Sequence, residues 1–196
     1  MFAKNHSTKT YQTKLFSFSR WIIILIFFFA SINISAQQVF EERGINFSIA
    51  KGNGLSNDVI NDQILFMLKL PKFGKLAENI SYENDLTFEY FSGIGRSNFL
   101  LGLTPLLKFD VTLLGFPFFF KGGIGINYIS MPEIAGRNLG GNLIFSDMIG
   151  MGIELFNVSD ICVELSYLFR HISNAGLYSG NEGYNSQYIM LSFNLL

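Results

Sequence analysis

Cysteine is almost absent: Cys162 stands alone in 196 residues, so no internal disulfide framework can hold the fold. Histidine is nearly as scarce, with His6 near the N-terminus and His171 as the other. One histidine and one cysteine in the body of the chain cannot build a zinc site, and no metal or cofactor is expected. Clusters of lysine and arginine are missing too, which argues against nucleic acid as a partner. Long hydrophobic runs are also lacking. Beyond residue 36 the richest stretch, Leu113-Leu-Gly-Phe-Pro-Phe-Phe-Phe120, is interrupted by Gly115 and Pro117. It is far short of the ~20 apolar residues a spanning helix needs.

The N-terminal segment lacks charge of one sign. Residues 1–20 carry Lys4, Lys9, Lys14 and Arg20 and no acidic residue. The apolar run Trp21-Ile-Ile-Ile-Leu-Ile-Phe-Phe-Phe-Ala30 follows, then a short polar stretch ending at Ser35-Ala36. A basic region, a short apolar core and a small residue at the break predict a secretory signal peptide over 1–36. Residues 37–196 then form a single domain. Losing the four basic residues of the leader leaves ten Lys and Arg against fifteen Asp and Glu, a mildly acidic body.

What the chain has in quantity is apolar and aromatic side chains, including 22 Phe, spread thinly along the sequence. The mature region is this greasy without spanning helices. That leaves a membrane barrel, whose apolar residues occupy alternate positions, or a thick-cored soluble β-domain. Alternation is the dominant pattern. Ile80, Tyr82, Leu86, Phe88 and Tyr90 share one parity, while Ser81, Glu83, Asp85, Thr87 and Glu89 take the other. Leu143, Phe145, Ile149, Met151, Ile153 and Leu155 repeat the pattern, with Asp147 as the exception. Ile189, Leu191, Phe193 and Leu195 do so again near the end. Period two with opposite chemistry on the two faces marks strands between an oily and a wet environment.

Eight strands are predicted, at about 44–50, 62–70, 80–91, 97–109, 116–129, 142–155, 162–172 and 186–195, separated by turn-rich segments. The expected fold is all-β: an eight-stranded antiparallel transmembrane β-barrel of the outer membrane. A barrel of this size is just wide enough for side chains to fill its interior. Glu83, Asp85, Glu89, Glu154, Glu164 and Arg170 are expected to meet there as a hydrogen-bonded plug. Cys162 falls on the same parity as inert packing. The alternative places the charges on the solvated face of a soluble, lipocalin-like lipid binder.

One constellation carries chemistry. His171 lies in Tyr167-Leu-Phe-Arg-His-Ile-Ser-Asn-Ala-Gly-Leu177. Residues i and i+2 of a strand point the same way, so His171 and Ser173 project side by side, ~6.5–7 Å apart along the backbone. An imidazole beside a hydroxyl can turn serine into a nucleophile. Both share the parity of Val163, Leu165, Tyr167 and Phe169, and thus face lipid, whereas Glu164, Ser166 and Arg170 face the lumen. Exported barrels begin and end in the periplasm, so the end of the seventh strand lies at the outer leaflet, where lipopolysaccharide is found. The blander interpretation makes His171 a polar girdle residue at the membrane interface, with Ser173 and Asn174 starting a loop. The barrel would then be catalytically silent.

The stretch His171-Ile-Ser-Asn-Ala-Gly-Leu177, followed by Asn181-x-Gly183-x-Asn185, resembles the PagL-type lipid A 3-O-deacylases. The likeness extends loosely over about 142–196, through Asn142-x-x-x-Phe145-Ser-Asp-x-x-Gly150-x-Gly152. The resemblance implies an outer-membrane barrel that hydrolyses the 3-position acyl ester of lipid A with a Ser–His–acid triad. By position it assigns Ser173 as nucleophile, His171 as general base and Asn174 to the oxyanion hole. The third member departs from the family pattern, in which a Glu stands fourteen residues after the histidine. Here Asn185 occupies that place and Glu182 lies three residues earlier, and both stay open as the orienting residue. Lipid A is the implied substrate, and homodimerisation is left open.

Overall fold

A computed structural model describes residues 46–55, 62–93, 96–159 and 161–195. The expected signal peptide at 1–36 lies outside the described residues. Eight long strands form a closed antiparallel barrel: β1 (Asn46–Gly54), β2 (Asp62–Ala77), β3 (Ile80–Gly93), β4 (Arg96–Leu113), β5 (Phe116–Ile129), β8 (Leu143–Val158), β9 (Ile161–Ser173) and β10 (Tyr184–Leu195). Two further strands of two residues each, β6 (Glu133–Ile134) and β7 (Arg137–Asn138), make a small hairpin inside the β5–β8 connection. Each barrel strand pairs with its sequence neighbours around the ring, and β1 closes it against β10. The expected eight-stranded barrel is therefore observed.

Alternation builds it as anticipated. In β3, Glu83, Asp85, Thr87 and Glu89 are buried, whereas Leu86, Phe88 and Tyr90 are exposed. The exposed outer face is apolar on every side: Ile49, Phe66, Phe88, Leu101, Phe120, Ile149, Tyr167 and Ile189 all point out. In water such a surface would be costly, at about 25 cal/mol per Å² of apolar area. In a bilayer it is the required one, because the closed ring also satisfies every ladder hydrogen bond.

The interior is filled by side chains in layers. Leu65, Met67, Leu106, Met148, Leu168, Tyr188 and Met190 form one apolar cluster. Phe91, Leu100, Ile129, Ile144, Ile172 and Tyr184 form a second, which Ile134 and Leu139 join from the β6–β7 region. A lipocalin-like binding cavity does not fit an interior packed in this way. The buried charges form two separate groups, not the single plug anticipated. Arg170 pairs with Glu89 and donates to Asn127 Oδ1 (2.8 Å) and Ser146 Oγ (3.2 Å), while Tyr188 donates to Gln63 (2.7 Å) and bonds Glu89. Elsewhere Lys69 lies 3.8 Å from Glu83 and 3.9 Å from Glu164, and Lys108 bonds Glu164 at 2.7 Å. Glu154 is only half-buried, near the β8–β9 turn, where it accepts from Cys162. The lysines are the countercharges that a survey of carboxylates alone overlooks.

Several strands outrun their expected limits; β1 runs on to Gly54, and β2, β4 and β8 reach 16, 18 and 16 residues. Continued pairing with neighbours carries them on: β4 stays zipped to β5 down to Leu113↔Phe116. Register shifts between Leu70 and Gly74 and between Lys75 and Ala77 let β2 pass a proline that would otherwise break the ladder. A third shift between Glu154 and Phe156 ends the strict alternation of β8, so that Leu155 and Phe156 are both exposed. The connections β2–β3 and β4–β5 are two-residue turns at one end, where β8 also leads into β9. The longer connections 130–142 and 174–183 lie at the other, the extracellular end in barrels of this kind.

Candidate active site

His171 and Ser173 close the extracellular end of β9. Arg170 and Ile172, on the opposite parity, are fully buried in the lumen, so His171 and Ser173 face outward as the parity requires. Both are half-buried. Beneath them the outer face is an apolar collar of Ile149, Met151, Tyr167 and Ile189.

The barrel register supplies the histidine's neighbours. Asn185 is directly opposite His171 on β10, and Asp147 is directly opposite it on β8. Directly paired residues share a face with Cβ atoms about 4.5–5.5 Å apart. The row Asp147–His171–Asn185 is thus a polar band across three strands, with Ile124 of β5 at its far end. Ser173 pairs with Phe145 in the next row outward. His171 Nδ1 lies 2.6 Å from Asn185 Oδ1. An amide oxygen only accepts, so Nδ1 carries the proton and Nε2 is left with its lone pair.

Gly183 fixes the other edge of the ring. A Cβ at this position would lie 3.0 Å from His171 Cε1 and 3.6 Å from Nε2, and the backbone has φ +64. The imidazole therefore spans from Asn185 towards the next row outward, which contains Ser173. A side chain at this position would press on the ring and strain a backbone at positive φ.

The loop 174–183 is folded by its asparagines. Asn174 is fully buried, and its Nδ2 donates to Leu139 O (2.6 Å) and Tyr178 O (3.2 Å). Its Oδ1 accepts from Gly176 N (2.7 Å), and its own N–H donates to Asn181 Oδ1 (3.0 Å). Both amide protons of Asn174 are thus engaged within the extracellular loops. Glu182 turns away from the row: its Oε2 accepts from Asn138 N at 2.6 Å, and its N–H donates to Asn138 O at 3.1 Å. The β6–β7 hairpin is knitted to the loop by these bonds, and Arg137 reaches the carbonyls of Glu182 and Gly183, 3.4 Å each. Its own turn is made by Ala135 and Gly136, both at positive φ, as a two-residue hairpin of this hand requires.

The structure therefore brings His171, Ser173 and Asn185 to one patch of the outer face, and directs Glu182 to the hairpin. Sequence reasoning missed Arg137 and Asn138, whose partners are more than forty residues away. It also gave no role to Asp147, although an acid on a lipid-facing parity was a visible signal. A cavity of about 330 Å³ opens at the opposite end, between Glu78, Lys108, Asp110, Phe119 and Glu154, and contains none of these residues.

Comparison with known proteins bears on the family and the fold. A family model described as lipid A 3-O-deacylase (PagL) matches residues 72–194. The lipid A deacylase PagL of Pseudomonas aeruginosa is 30% identical over 104 residues, 52% of this chain and 58% of that relative. The match thus spans little more than half the length of that curated relative. Among solved structures, that of the outer membrane enzyme PagL aligns with a TM-score of 0.58 at 21% identity, over 75% of this chain and 97% of the other. Neisserial surface protein A aligns with a TM-score of 0.53 at 9% identity, over 78% and 95%. At these identities the two structures speak to the fold alone.

Proposed function

Because this chain belongs to the lipid A 3-O-deacylase (PagL) family, we propose that it hydrolyses the 3-position acyl ester of lipid A in the outer membrane, with Ser173 as nucleophile and His171 as general base. The observation that carries the proposal is the outward-facing His171, held by Asn185 in the tautomer that leaves Nε2 free. His171 Nε2 takes the proton of Ser173 as Oγ attacks the ester carbonyl. The tetrahedral intermediate collapses by expelling the sugar 3-hydroxyl, which receives that proton. Water, deprotonated by the same nitrogen, then releases the fatty acid and restores Ser173.

Asn185, not Glu182, orients the imidazole in this scheme. It lies on the paired strand within hydrogen-bond distance, while the Glu182 carboxylate is used on Asn138. Asn174 contributes to the oxyanion site by holding the 174–183 loop folded beside Ser173, since its own donors are engaged. The collar of Ile149, Met151, Tyr167 and Ile189 suits acyl chains lying along the barrel wall. Ser173, His171 and Asn185 come from one chain, so the site needs no second copy.

The test is incubation of the refolded, detergent-solubilised protein with purified lipid A. Release of the 3-linked hydroxy fatty acid, with the other chains retained, is the expected result. Release from another position, or none from folded protein, would overturn the proposal.

A further inference from the structure

The apolar outer row of β8 contains one acid, and it stands beside the histidine. Asp147 sits between Ile124 of β5 and His171 of β9 in the barrel register. A carboxylate on a lipid-facing row loses hydration, and needs a partner to compensate. Asp147 enters none of the salt bridges among the described residues. Its carboxylate is half-buried, and the ionisable side chain directly across the ladder from it is His171. On the other side of the same imidazole, Asn185 presents a neutral amide. An amide can set the orientation and tautomer of the ring but brings no charge to oppose the imidazolium formed when Ser173 is deprotonated.

We propose that Asp147 supplies, from the neighbouring strand, the negative charge that Asn185 cannot, so that orientation and charge stabilisation of His171 are divided between β10 and β8. Asp147 takes no part in the transfer, and the proton moves only between Ser173 Oγ, His171 Nε2 and the leaving hydroxyl. It is a positioning residue in this scheme, acting through His171 without touching the ester. The other charged groups near the ring are engaged elsewhere: Glu182 on Asn138, Arg137 on the Glu182 and Gly183 carbonyls, and Arg170 on Glu89 in the lumen. The proposal rests on the serine-esterase reading of Ser173 and His171.

The experiment moves the charge from one strand to the other with isosteric changes. Turnover of purified lipid A is measured for the parent, Asp147→Asn, the double variant Asp147→Asn/Asn185→Asp, and Ser173→Ala, each checked for heat-modifiable gel migration as a sign of a folded barrel. Asp147→Asn is expected to lower kcat about 10- to 100-fold with little change in KM. The double variant is expected to regain most of that loss, which a packing role for Asp147 does not allow. Asp147→Ser, with and without Asn185→Asp, is read the same way should the amide variant not fold. Parental turnover in folded Asp147→Asn, or a loss that the relocated carboxylate does not restore, overturns the proposal while Ser173→Ala remains inactive. Activity in Ser173→Ala instead overturns the esterase reading itself.

Discussion

Replacing Asn185 by alanine isolates the orienting contact, because the side chain meets His171 on the outer face and takes no part in the lumen network. The contact is a single 2.6 Å hydrogen bond from Nδ1–H to Oδ1. Such a bond contributes about 0.5–1.5 kcal/mol net. Its loss also frees the ring to sample other staggered χ1 wells and allows the proton to sit on Nε2, where it blocks general-base action. Together these effects amount to about 1.5–3 kcal/mol, or roughly 10- to 100-fold in kcat at 1.36 kcal/mol per decade. The loss should fall short of the ~10⁴-fold seen when an aspartate-to-asparagine change imposes the wrong tautomer on a serine-protease triad. Gly183 still flanks the ring, and Asp147 still lies across the ladder from it. KM should move little, since the amide faces the imidazole and not the acyl chain. Asn185→Glu should preserve or raise turnover, and Glu182→Ala should change it less than Asn185→Ala does. The assay is initial-rate release of hydroxy fatty acid from lipid A in detergent. Near-normal turnover in Asn185→Ala together with a dead Glu182→Ala would refute the assignment and transfer the orienting role to Glu182.

Other expectations follow from the same geometry. His171→Ala and Ser173→Ala should each remove nearly all turnover, and the double variant should be hardly worse than either, because members of one catalytic unit are strongly non-additive. Gly183→Ala places a Cβ 3.0 Å from His171 Cε1 at a backbone φ of +64. It should lower kcat while costing about 1 kcal/mol of stability, read as a modest drop in the urea midpoint. Arg170→Met should destabilise the barrel by about 3–5 kcal/mol, because it strands Glu89 in the lumen, and unfolding in urea should occur at a clearly lower midpoint.

Facing was legible where β3, β8 and β10 repeat the same two-residue period over most of their length. His171 and Ser173 could be placed on the lipid side from parity alone, and the register agrees. What escaped depends on pairing and not on pattern. The alternation is clear from about residue 186, but β10 begins at Tyr184, and those two extra residues bring Asn185 onto the ladder opposite His171. Asp147 was visible as an exception in its strand. That it adjoins the histidine depends on a register spanning the β8–β9 turn, including the shift at Glu154. The hairpin Glu133–Asn138 is too short to carry a period, and its anchorage to Glu182 is a contact between distant parts of the chain. The lumen lysines Lys69 and Lys108 lie on the inward parity, yet only the folded barrel pairs them with particular carboxylates.

The central claim is that Ser173, on the lipid-facing wall at the extracellular end of β9, cleaves the 3-position ester of lipid A. Mass spectrometry of lipid A extracted from bacteria expressing the protein tests it most directly. With the parent protein, lipid A is predicted to lose the mass of one 3-hydroxyacyl chain, and fragmentation should assign the loss to the 3-position. Cells producing folded Ser173→Ala at the same level in the outer membrane should keep that chain. The account is contradicted if Ser173→Ala deacylates like the parent, or if the parent, folded in the outer membrane, leaves lipid A unchanged.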